Sequence, residues 1–152
     1  MWENVDRTDL EQLAKARLED ARILLQYERY GAAYYLCGYA VECGLKACIA
    51  RQIKAYEYPP TANYSRDLFT HDLSRLVTLA QLSESLENQA RDVPGFEQNW
   101  SVVTKWSEQS RYDLVAEQKA RELFEAVTQV PAGVLEWIRQ HWAIETSTPE
   151  GA

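Results

Sequence analysis

Histidine, cysteine, glycine and proline are all scarce in this 152-residue sequence, and each scarcity closes off a class of protein. Two histidines and three cysteines, with no Cys-x-x-Cys pair, are too few for a zinc site with N and S ligands. No Glu-x-x-His pair occurs, which removes a di-iron carboxylate bundle. Neither a G-x-x-x-x-G-K-[ST] phosphate loop nor a Gly-x-Ser-x-Gly elbow is present, and nothing suggests a Ser/His/Asp or Cys/His nucleophile system. No metal and no cofactor are therefore expected. Six glycines and five prolines leave little material for hairpins or long ordered loops. Basic charge is also short: 16 Lys and Arg against 23 Asp and Glu give a net charge of -7. Nonspecific nucleic-acid binding works by neutralising phosphates, so this balance argues against a general DNA or RNA coat protein. A local arginine site and a basic partner stay open.

Long apolar runs are missing as well. Glu42 and Lys46 interrupt the most hydrophobic stretch, so no membrane span is expected. The opening MWENVDRTDLEQ lacks the basic and then apolar pattern of a secretory signal. Cys37, Cys43 and Cys48 fall in one predicted helix, with the outer two eleven residues apart. At 1.5 Å per residue that is about 16 Å, too far for a disulfide or a chelating cluster. Buried, reduced thiols in a cytoplasmic protein are the expectation.

What is there is helical periodicity. A first helix is predicted from Asp9 to about Arg29, with Thr8 and Glu11 at capping-box spacing. Gly31 either ends it or begins the next. The second helix, from about Gly31 to Lys54, carries Ala33, Leu36, Cys37, Ala40, Val41, Gly44, Leu45, Cys48 and Ile49 every three to four residues. Gly38, Cys43 and Ala47 add small residues beside that stripe, so this helix should be the most enclosed. Pro59-Pro60 marks a loop over 56–66. Further helices are predicted from Asp72 to Leu86 with Thr70 as cap, from Phe96 to Gln109, and from about Val115, with a restart after Pro131. The result is an all-α, up-and-down bundle of four to five helices over 8–144, with a flexible C-terminal tail over 145–152.

Within this frame a few polar residues stand out. Glu42 and Lys46 are spaced i, i+4 on the most buried helix, where a carboxylate needs a partner. Arg111, in SRYDL, follows the fourth helix at a junction. It either pairs with a carboxylate such as Glu42 or, through its planar fork, recognises phosphate with Tyr112 beside it. His71 opens the third helix and suits a capping or interhelix hydrogen bond, whereas His141 is expected at the surface. Tyr27, Tyr30, Tyr34, Tyr35 and Tyr39 form a cluster suited to core or dimer packing or to base stacking.

Taken in order, these features resemble a known family, the HEPN domain (higher eukaryotes and prokaryotes nucleotide-binding). The carriers are Ala16, Asp20, Ala21 and Leu24, then Tyr30, Ala32 and Ala33. Ala40, Glu42, Leu45 and Lys46 follow as an Ala-x-Glu-x-x-Leu-Lys core. His71 and Leu73 form a His-x-Leu, and Trp106, Arg111 and Tyr112 complete the set in WSEQSRY. The resemblance implies a helical bundle, usually homodimeric, whose members are metal-independent RNases, often toxins or antiphage effectors, or partners of small nucleotidyltransferases. Active members carry an Arg-x4–6-His motif supported by an acidic residue from the second helix. Arg111 and Glu42 match those two positions and are the catalytic candidates; Arg111, Tyr112, Lys46 and His71 are the nucleotide- or RNA-binding candidates. The motif histidine is replaced, because the three allowed positions hold Ala116, Glu117 and Gln118. The resulting expectation is a non-catalytic binding protein acting with a nucleotidyltransferase or in a toxin–antitoxin or defence-type system. The alternatives are an RNase with a rearranged site at Arg111 and Glu42, and a nucleotide- or RNA-binding module without chemistry.

Overall fold

The computed structural model describes residues 7–56 and 69–142, with side chains up to Gln52 in the first stretch. Among the described residues all regular structure is helical. These residues contain seven α-helices: α1 (Arg7–Gln26), α2 (Tyr30–Tyr56), α3 (Leu73–Leu79), α4 (Ser83–Asp92), α5 (Phe96–Thr104), α6 (Glu117–Thr128) and α7 (Val134–Trp142). A 3-10 helix, Glu108–Tyr112, separates α5 from α6. The expected all-α bundle is borne out, with more and shorter elements than its periodicity suggested. The predicted loop beyond Tyr56 and the predicted tail over 145–152 lie outside the described residues.

Helix α2 is the centre. Every residue from Ala40 to Ile49 is buried, so no face of this stretch meets solvent. α1, α3, α6, α7 and the 3-10 helix all pack against it. Small residues make that enclosure possible. A Cβ built on Gly44 would already touch Leu135, Ile138 and Trp142 at 3.1–3.4 Å, and Trp142 Nε1 donates to Gly44 O at 3.1 Å. Gly38 admits the indole of Trp106 directly onto the helix backbone. At the other end of the core Trp137 and Phe96 are fully buried and meet edge to face at 5.5 Å, each contributing about 1.5–3 kcal/mol through burial.

Several boundaries differ from the sequence expectation. The first helix is already helical at Thr8, so Thr8 is not its cap, and Glu11 pairs instead with Arg7 at 3.4 Å. Gly31 lies inside α2, because α1 ends earlier in a Schellman turn. Glu28 takes φ 61°, its N–H bonds Leu25 O, and the Arg29 N–H bonds Leu24 O. The single helix expected from Asp72 to Leu86 is split by the same device: Gln81 has φ 61°, and the N–H groups of Gln81 and Leu82 bond Thr78 O and Val77 O. Its cap is Asp72, whose carboxylate accepts from Arg75 N at 3.2 Å; Thr70 supports that cap by accepting from Asp72 N. The helix expected to reach Gln109 stops at Thr104.

Candidate functional site

One face of α2 carries Tyr35, Gly38, Tyr39, Glu42 and Lys46, about one turn apart from each other. Two other segments meet it there. The turn before α3 holds His71, fixed in place by the Asp72 cap. The 3-10 helix is anchored by Trp106 over Gly38 and by the buried Ser110, and it presents Glu108 and Arg111. In a 3-10 helix residues three apart eclipse, so Glu108 and Arg111 project together.

The polar groups join into one chain. Glu42 is 1 % exposed, and its Oε2 accepts from Lys46 Nζ at 3.0 Å and faces His71 Nδ1 at 2.7 Å. The other ring nitrogen, His71 Nε2, lies 3.3 Å from Glu108 Oε2. That same oxygen accepts from Arg111 Nη1 at 2.9 Å. His71 thus bridges α2 to the 3-10 helix through a carboxylate on each side. The expected direct pairing of Arg111 with Glu42 does not occur; Glu108 takes the guanidinium, and His71 stands between the two carboxylates. Sequence reasoning missed Glu108, although its i, i+3 spacing to Arg111 was the available signal.

Charge reinforces the arrangement. The hydrogen bond from Arg111 holds the Glu108 carboxyl below its usual value against a desolvation effect, helped by the charges of His71 and Lys46. The Arg111 guanidinium is held even more firmly protonated by Tyr112, Glu108 and Tyr35. It also lies over the Tyr112 ring at 4.9 Å. Arg111 remains 39 % exposed in its side chain, and beyond it Tyr112 and Leu114 stand out into solvent at 73 % and 104 %. Three polar atoms of buried residues around the site, Glu42 Oε1, Trp106 Nε1 and Ser110 Oγ, have no hydrogen-bond partner among the described residues.

The remaining candidates separate from this site. The tyrosines do not form one platform: Tyr34 is buried with Lys119 over its ring, Tyr35 and Tyr39 stack at 6.2 Å, and Tyr27 is exposed. His141 is not at the surface but half-buried, edge-on to Trp137 and bonded to Ser85. All three cysteines are free and buried. Desolvation pushes the Cys43 and Cys48 thiols up to about 12 and Cys37 higher still, so none is a ready thiolate. No cluster of three or more His, Cys, Asp or Glu fit to hold a metal occurs among the described residues. None of their helices is long and apolar enough to cross a membrane.

Over residues 9–141 the chain matches the family model described as HEPN domain. It belongs to the HEPN family. HEPN domains are generally nucleotide-binding or RNase-like and commonly dimerise. No curated protein and no solved structure matches the chain. In this HEPN chain the positions of the missing motif histidine fall at the start of α6. Ala116, Glu117 and Gln118 are exposed there, and Glu117 pairs with Arg121 at 2.8 Å rather than with Arg111.

Proposed function

We propose that this HEPN protein is a non-catalytic binding module that works with a protein partner. A small nucleotidyltransferase, within a toxin–antitoxin or defence-type system, is the partner the family points to. The observation that carries this reading is that both ring nitrogens of His71 are engaged by carboxylates of the fold. A neutral imidazole has one donor and one acceptor nitrogen, and an RNase of this kind needs one of them facing the ribose 2′-hydroxyl or the leaving oxygen. Exposed Arg111 and Tyr112 add support, since Arg and Tyr are the residue types that anchor protein interfaces, and exposed Leu114 adds apolar surface beside them. The expected experimental result is that the purified protein leaves RNA intact, with or without EDTA. It co-purifies with a co-expressed cognate nucleotidyltransferase, and Arg111→Glu with Leu114→Ser removes that association. Cleavage that disappears with Arg111→Ala overturns the proposal.

A second reading is favoured by one distance. The His71–Glu108 contact, at 3.3 Å, is longer than a strong charge-assisted hydrogen bond. If Glu108 turns away, His71 Nε2 and Arg111 face the same exposed surface, with Glu42 behind the imidazole. His71 then supplies the imidazole that the motif positions lack, in a metal-independent RNase. Glu108→Gln distinguishes the two readings: under the second it raises EDTA-resistant cleavage that His71→Ala abolishes, and under the first no cleavage appears in any variant.

A further inference from the structure

His71 has a carboxylate at each ring nitrogen, and an ionised carboxylate can only accept. Glu42 Oε2 lies 2.7 Å from Nδ1, and Glu108 Oε2 lies 3.3 Å from Nε2. A neutral imidazole carries one N–H and satisfies one of these oxygens; an imidazolium carries two and satisfies both. The complete bridge from α2 to the 3-10 helix therefore exists only while His71 holds its second proton.

The two contacts are unequal. The Glu42 side chain is 2 % exposed and that of Glu108 is 29 %. A lost hydrogen bond costs most where water cannot replace it, so the neutral ring keeps Nδ1–H on Glu42 and turns the Nε2 lone pair to Glu108. Lone pair then faces lone pair, and the Glu108 contact changes from attraction to repulsion. His71 itself is 40 % exposed in its side chain, within reach of solvent protons. The charged groups around the ring come from three segments. α2 presents Glu42, with Lys46 Nζ on the same Oε2 at 3.0 Å. The 3-10 helix presents Glu108, with Arg111 on its Oε2. In the turn that holds His71, the Asp72 carboxylate is directed to the Arg75 N–H. Arg111 keeps its charge, and its hydrogen bond keeps Glu108 ionised at neutral and mildly acid pH.

We propose that His71 is a proton-operated latch on the 3-10 helix. Its imidazolium ties Glu108 to the turn before α3; loss of the proton frees Glu108 and loosens the helix that carries Arg111 and Tyr112. The contact is partly exposed, so it governs the local docking of this helix rather than the stability of the whole fold. For the partner the consequence rests on the binding-module reading. A latched helix holds Arg111 and Tyr112 in one arrangement beforehand, so protonation favours association, by at most about tenfold per pH unit for one linked proton.

Two signals report the latch in the uncomplexed full chain. The Tyr112 ring lies under the Arg111 guanidinium, and the Asp113 N–H closes the 3-10 helix on Ser110 O at 3.0 Å. NMR follows both from about pH 5.5 to 8, the range in which histidines change charge, alongside the His71 ring nitrogens. The expected result is that the Tyr112 ring resonances move together with His71. Protection of the Asp113 amide, corrected for the intrinsic pH dependence of exchange, falls severalfold as His71 loses its proton. Glu108→Gln leaves His71 titrating but removes both responses, His71→Gln removes them as well, and His141→Gln, at the other histidine, leaves them intact. Tyr112 and Asp113 signals that stay fixed while the His71 ring titrates overturn the proposal without any variant, as does an unchanged response in His71→Gln. Retention of a co-expressed cognate nucleotidyltransferase at pH 6 and pH 8 tests the consequence separately. A chain with the linked responses but no association at either pH upholds the latch and overturns the partner reading alone.

Discussion

Replacing Gly38 by alanine tests the contact that holds the 3-10 helix on α2. An ideal Cβ at this position lies 2.2 Å from Trp106 Cε2 and 2.3 Å from Cδ2 and Nε1, against roughly 3.5–4.0 Å for ordinary carbon contacts. Trp106 is 4 % exposed and sits immediately before the 3-10 segment, so its ring moves only if Glu108 and Arg111 move with it. Overpacking of this kind costs about 1–3 kcal/mol. Alanine in a helix interior returns about 0.5–1 kcal/mol over glycine. With an approach this close the clash wins, leaving a net loss of up to about 2.5 kcal/mol, which for a chain of this size lowers Tm by a few degrees. Urea unfolding followed by far-UV circular dichroism measures the loss, and the His71 ring resonances report whether the Glu108 contact loosens with it. Trp106→Phe in the alanine background should recover part of the stability, since the smaller ring leaves room for the methyl. A stabilising Gly38→Ala, or strict additivity of the two substitutions, refutes the reasoning.

Three other perturbations have calculable outcomes. Lys46→Met leaves the Glu42 carboxylate, 1 % exposed, facing His71 without the ammonium; because His71 remains, the loss should fall at the low end of the range for a broken buried pair, about 3 kcal/mol. Adding Glu42→Leu should restore part of it, and a Lys46→Met protein as stable as the parent in urea contradicts the burial argument. At His141 burial holds the folded pKa below the ordinary histidine value of about 6.5, so as pH falls the unfolded chain takes up the proton first. Stability is then full above about 6.5 and is lost as pH falls through the folded pKa. Urea midpoints in chloride at pH 7, 6 and 5 should decline, and His141→Gln should flatten that slope, whereas Glu108, with its pKa lowered from 4.5, adds slope only in more acid solution. Finally, Glu28→Gly and Gln81→Gly each relieve a left-handed backbone position and should stabilise by about 0.5–1 kcal/mol, the left-handed cost exceeding the added chain entropy. Thermal melts without an increase in either variant count against the Schellman assignment.

Which parts were legible in the sequence follows from how local each signal is. The spacing of small and apolar residues from Ala33 to Ile49 is a property of one helix, and it placed α2 and the Glu42–Lys46 pair correctly. The break between α3 and α4 was illegible because Gln81 occupies a position where glycine usually marks the turn. The same holds for Glu28 at the end of α1. His71 and Glu42 are 29 residues apart, and only the packing of the turn before α3 onto α2 brings them together. The partition of Arg111 between Glu42 and Glu108 was likewise a tertiary matter, decided by how Trp106 seats the 3-10 helix. His141 read as a surface residue from its place near a helix end, yet α4 covers it and Ser85 meets it there.

The choice between a binding module and a nuclease reduces to the behaviour of one carboxylate. Glu108 neutralises Arg111 and covers His71 Nε2 with the same oxygen. Glu42 and Lys46 already offset each other beneath. The Glu108–Arg111 pair, however, is partly solvent-exposed on both sides, and exposed pairs contribute little to stability. On the nuclease reading, a phosphate approaching Arg111 would displace this weak partner and uncover the imidazole. Under the nuclease reading, phosphate binding and exposure of a proton-transfer group would be coupled events, which a protein partner touching only Tyr112 and Leu114 would not trigger. That coupling would make Glu108, a residue outside the family signature, the point at which the two readings of the Lys46–Glu42–His71 chain divide.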